Sequence, residues 1–172
     1  MPDQRKALAM MAPWLALAVL IVVLDQLTKQ IVLGTMHYGQ VIPVTSFFDL
    51  VLVFNPGAAF SFLADHSGWQ RWFFTGLAVV ICGWLLTMMY QHRRERLLPA
   101  AFALIIGGAI GNVIDRLMHG AVVDFLYFHA GSYGWPAFNL ADSAITIGVG
   151  LMLWAQFRGD RHNTDPNPER SS

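Results

Sequence analysis

Two aspartates, Asp124 in the run AVVDF and Asp142 in FNLAD, flank one short loop between membrane-length apolar segments. An acid at the centre of a membrane span costs roughly 2.5 to 3.5 kcal/mol on insertion scales, so acids kept in or beside such segments ask for a functional explanation. When two carboxylates share a site, repulsion lets one keep its proton near neutral pH, and the pair can act as base and acid together. The ionised member takes a proton from water attacking a carbonyl; the protonated member hydrogen-bonds the carbonyl oxygen and later helps the amine leave. That is peptide hydrolysis by an aspartic pair. Other schemes have less to build on. Ser143 follows Asp142 without an evident histidine partner, the six histidines are scattered, and the single cysteine, Cys82, lies in an apolar run and allows no disulfide or paired-cysteine metal site. The pattern calls for no metal and no cofactor.

The elements that must position this pair are membrane helices. Of 172 residues 55% are hydrophobic and only 13% charged, with net charge zero and mean hydropathy +0.47, the composition of an integral membrane protein rather than a nucleic-acid binder. Four stretches reach the length of about twenty residues that a span needs: 13 to 33, 69 to 90, 97 to 118 and 137 to 157. The first follows Arg5 and Lys6 like a secretory signal, but it is too long and lacks a small-residue cleavage site before Asp25, so it reads as a retained helix. Basic residues gather in the two tails and the middle loop, whereas Gly34 to Gln70 and Leu117 to Pro136 hold no Lys or Arg. The positive-inside rule then places both termini in the cytoplasm and both longer loops outside. Residues 1 to 158 read as one membrane-embedded domain, and the polar, proline-containing segment 159 to 172 as a disordered tail.

Within this frame the polar residues fall on helical faces or turns. Asp25 and Lys29 are four apart, acid first, the spacing of an ion pair on one face. Gly107, Gly108 and Gly111 permit close helix approach, and Asn112, Asp115 and Arg116 follow at once; the arginine can fork onto a carboxylate or satisfy loop carbonyls. Residues 41 to 54 are rich in β-branched and aromatic types and predict one or two short strands at the membrane surface, closed by a tight turn at Asn55, Pro56 and Gly57. The alternation around Asp124 predicts a short extended segment. Pro136 is expected in the first turn of the fourth helix, which would carry Asp142 roughly 9 Å below its start, with Asn139 one turn before it on the same face. The segment Phe128 to Trp135, with glycines and aromatics, reads as a loop able to act as a lid.

Read in order, DQLTK at 25 to 29, NPGAAFS at 55 to 61, GGAIGNVIDR at 107 to 116, VVDF at 122 to 125 and FNLAD at 138 to 142 resemble the signature blocks of lipoprotein signal peptidase, signal peptidase II. The resemblance spans residues 13 to 157. It implies an α-helical integral membrane protein with four transmembrane helices and a small periplasmic β element, the cradle. It implies an aspartyl endopeptidase of the bacterial inner membrane that cuts diacylglyceryl-modified prolipoproteins before the lipidated cysteine, and that binds membrane lipid and globomycin-class inhibitors. Carried onto this chain, the catalytic pair is Asp124 and Asp142, and the supporting residues are Asp25, Lys29, Asn55, Asn112, Arg116 and Asn139. Two other classes compete: a proton-coupled carrier, which would string acids across the membrane, and a noncatalytic envelope scaffold, which would tolerate loss of either aspartate.

Overall fold

The computed structural model describes residues 2–57, 68–131 and 133–162. Hydropathy dictates its helices: α1 (Pro2–Thr35), α2 (Trp69–Gln91), α3 (Leu97–His119) and α4 (Leu140–His162), all four long and apolar enough to cross a membrane. In α3, 56% of the span window is buried against 11 to 17% in the other three, so α3 is the central post and the others turn most of their surface outward. It packs against each of them, α4 and α1 most extensively. Small residues make this approach possible, since a Cβ on Gly107 would stand 2.7 Å from the Ala18 carbonyl oxygen, and one on Gly108 would collide with the Ala141 carbonyl. One apolar core, with Met11, Leu85, Met89, Phe102 and Ile106, joins α1, α2 and α3.

Between the helices the chain builds an antiparallel sheet in the order β1 (Val41–Pro43), β2 (Phe48–Asn55), β3 (Val122–Ala130), β4 (Tyr133–Gly134). A second apolar cluster, Val32 of α1 and Met36 just beyond it with Leu52, Val123 and Phe125, seats the sheet on the end of α1. The β2–β3 register shifts between Leu50 and Val53, after which Val53 faces Asp124 and Asn55 faces Val122. The Asx turn after β2 forms as expected: Asn55 Oδ1 accepts the Gly57 N–H at 2.9 Å, and Gly57 has φ +97°.

The helix α1 contains the expected span of 13 to 33 and runs beyond it, from Pro2 to Thr35 with Pro13 inside; at about 1.5 Å per residue it is roughly 50 Å long and extends beyond a 30 Å hydrocarbon layer. Two expectations need correction. α4 begins at Leu140 and runs to His162, with residues 163–172 outside the described residues. Pro136 lies in the extended approach to α4, where the Leu126↔Phe138 bridge lays the chain back along β3, so Asp142 is the third helical residue and not most of two turns down. Finally, Phe128 to Trp135 is the tip of a β3–β4 hairpin rather than a plain loop, its ring of Phe128 stacked on Phe47 and Phe138; Ser132 lies outside the described residues, as do 58–67, which hold the end of the NPGAAFS block.

Candidate active site

The two aspartates arrive from different elements. Asp124 points from β3 into the protein and is 1% exposed. Asp142 stands in the first turn of α4, whose free N–H groups need partners. Asn139 supplies them from just outside the helix: its Oδ1 accepts the Asp142 N–H at 2.9 Å, and Asp142 Oδ2 accepts the Asn139 N–H at 3.3 Å. This reciprocal cap fixes the Asp142 side chain and sets its charge at the positive end of α4. The Asn139 amide reaches the other way, donating to Asp124 Oδ1 at 2.8 Å. One asparagine therefore holds both acids. Asn55, carried to the end of β2, donates to Asp124 Oδ2 at 3.1 Å, and Asn112 donates to Asp142 Oδ1 at 2.8 Å. Burial, reinforced by the negative charge of Asp142, pushes the Asp124 carboxyl up to about 7, against the opposing hydrogen bonds from Asn55 and Asn139.

Behind the pair lies an ion cluster. Lys29 Nζ stands 2.8 Å from Asp25 Oδ2, 2.8 Å from Asp115 Oδ2 and 3.1 Å from Asn112 Oδ1, which uses all three ammonium donors. The expected Asp25–Lys29 pair is thus part of a triad, and its third member, Asp115, has no assigned role in the sequence reading; its position three residues after Asn112 on one face of α3 is the signal that could have found it. Gln26 completes the cluster by donating to Asp115 Oδ1 at 2.9 Å. Arg116 behaves differently from expectation. It forms no ion pair with a described carboxylate; its guanidinium lies 5.1 Å over the Phe74 ring, and Nη1 donates to the Asn112 carbonyl at 3.4 Å.

Two clefts meet at Asp142. One, about 300 Å³, opens between α2, α3 and α4 and is lined by Phe74, Ile81, Ile105, Asn112, Arg116 and Asp142. The other, about 450 Å³, runs along α4 beneath the hairpin return and is lined by Trp135, Phe138, Asp142, Ser143, Thr146 and Ile147. Mostly apolar walls with a carboxylate at their junction suit an apolar chain that presents one polar bond. Among the described residues, no group of His, Cys, Asp and Glu side chains is arranged to hold a metal ion.

Residues 17–158 match the family described as signal peptidase (SPase) II. The chain belongs to that family. The lipoprotein signal peptidase of Azoarcus sp. (strain BH72) is 77% identical to this signal peptidase II chain, over 100% of both. That of Cupriavidus necator is 54% identical, over 87% of this chain and 86% of the relative. A solved bacterial membrane enzyme superposes on it with a TM-score of 0.79 at 33% identity, covering 94% of each chain, and a second with 0.74 at 33%, covering 84% of this chain and 92% of the other. Signal peptidase II enzymes are multi-pass membrane proteases that cleave signal peptides from prolipoproteins, and an aspartyl mechanism fits the family.

Proposed function

We propose that Asp124 and Asp142 are the catalytic pair of this signal peptidase II, and that it cuts prolipoproteins before a cysteine already carrying a diacylglyceryl group. The observation that carries the reading is the Asn139 side chain, which caps Asp142 and donates to Asp124 at once, holding two acids of unlike environment against each other. Asp142 lies open to both clefts at a helix N-terminus and serves as the base. Asp124, buried and held near 7, carries the proton. Water attacks the scissile carbonyl and gives its proton to Asp142, while the Asp124 proton passes to the carbonyl oxygen. In the collapse Asp142 protonates the departing amine as the C–N bond breaks, and Asp124 recovers its proton from the gem-diol, so the resting state returns. Asn55, Asn112 and Asn139 hold the pair, Asp25 and Lys29 support it from behind, and Arg116 faces the substrate cleft. Two apolar clefts meeting at one carboxylate fit a substrate with both a signal helix and acyl chains, and globomycin-class inhibitors would compete for the same junction.

A gel-shift cleavage assay tests the reaction directly. Purified enzyme should cut a diacylglyceryl-modified precursor and leave the unmodified precursor intact, and EDTA should not change the rate. Equal cutting of both precursors would remove the lipid from recognition, and zinc-restored loss in EDTA would end the aspartic reading.

The lack of Lys and Arg from Gly34 to Gln70 and from Leu117 to Pro136 supports an enzyme of the inner membrane with cytoplasmic termini and its site at the periplasmic face. A reporter fused after Arg158 should be cytoplasmic and one inserted at Gly39 periplasmic; the reverse pattern would put the site out of reach of exported substrates.

A further inference from the structure

The buried ion cluster does more than pair its own charges. Asp25 and Asp115, like Lys29 between them, are 0 to 2% exposed, and each carboxylate has capacity left after pairing with the lysine. Asp115 Oδ2 accepts the Val123 N–H at 3.0 Å, and Val123 immediately precedes Asp124. Asp25 Oδ1 accepts the Ala141 N–H at 2.9 Å, and Ala141 immediately precedes Asp142. Ala141 is the second residue of α4, where a backbone N–H has no carbonyl partner within the helix, so the carboxylate meets a real vacancy. The same lysine orients Asn112, whose amide donates to Asp142. We propose that Asp115 and Asp25 are paired positioning residues: each grips the peptide N–H just before one member of the aspartic pair, and because both are anchored on Lys29 the cluster sets the separation of Asp124 and Asp142. The inference rests on the reading of those two aspartates as catalytic.

Backbone esters isolate the contact, since replacing the peptide N–H with oxygen deletes one donor and leaves every side chain and the ion cluster in place. An ester between Val122 and Val123, and separately one between Leu140 and Ala141, should each lower kcat by about tenfold or more, as displacements of catalytic groups by about 1 Å do, with KM changed less than about twofold. The pH–rate midpoint should move as well, because the mutual repulsion of Asp124 and Asp142 depends on their distance. The other charges facing the pair, Asp25 and Lys29 from α1 and Asp115 and Arg116 from α3, are unaltered in both esters. A loss of folded protein would scale the pH profile without moving it. Asp115→Asn, which keeps an acceptor for Val123 but breaks the anchor on Lys29, should repeat the effect. Esters with parental kcat and an unmoved profile, or a scaled profile alone, would overturn the proposal. Activity surviving in Asp124→Asn or Asp142→Asn would instead overturn the site it rests on.

Discussion

Asp124→Asn and Asp142→Asn should each reduce prolipoprotein cleavage to background while the protein still folds. Asparagine keeps the shape of the side chain and can accept one of the two hydrogen bonds that each carboxylate receives, but it cannot cycle a proton, and groups acting as a unit lose nearly all their effect when one is removed. The parent rate should fall as pH rises through about 7, where Asp124 gives up the proton the pair shares. The same shift has a stability consequence with a definite sign. Asp124 holds its proton to about 7 when folded and to its ordinary 3.8 when unfolded, so the native state binds more protons in that window and stability declines as pH rises through it. Asp124→Asn removes this decline. It should therefore be inactive and yet melt above the parent at pH 8, a trade of stability against activity characteristic of active sites. Near-normal turnover in either variant would dismiss the pair as catalytic, and parental melting of Asp124→Asn at pH 8 would dismiss the burial cost.

The largest loss of stability is expected at Lys29→Ala. Lys29 is fully buried and all three of its donors are used, so its removal leaves Asp25 and Asp115 facing each other without a counter-charge. Breaking a buried ion pair from one side typically costs about 3 to 5 kcal/mol. Arg116→Ala should be milder in melting and severe in rate, because Arg116 has no carboxylate partner among the described residues and lines the cleft beside Asp142. Thermal unfolding in detergent separates the two: equal melting of Lys29→Ala and parent would deny the cluster its structural role, and an Arg116→Ala variant that melts as low as Lys29→Ala would make the arginine part of it.

What could be read from the chain follows from the range over which each signal acts. Spans α2 and α3 are legible within a residue or so because hydropathy is summed over twenty positions. The start of α4 is not, since two local signals compete: Pro136 is a good first helical residue, but Asn139 with Asp142 three positions on forms the reciprocal cap, and the bridge of Phe138 to Leu126 holds the proline in an extended run. Strands β2 and β3 are each visible in residue types, but their pairing is not, and only pairing brings Asn55 to Asp124 across 69 residues of chain. The roles of Asp115 and Gln26 were hidden for the same reason. Nothing near Asp115 says that a lysine from another helix and the N–H of Val123 will converge on it.

The i, i+4 spacing of Asp25 and Lys29 also bears on how the protein is made. Asp25 receives the Ala141 N–H from 116 residues downstream, and Lys29 its second carboxylate from α3, so neither partner exists when α1 leaves the ribosome. The contact between Asp25 and Lys29 within α1, however, needs no other segment. A nascent first helix can enter the bilayer as a neutral, self-paired rod instead of carrying two bare charges through hydrocarbon. Assembly then becomes an exchange in which later helices add partners to a pair that already exists. The half-made chain is spared the worst insertion penalty, and Asp142 joins Asp124 only when the last helix has arrived.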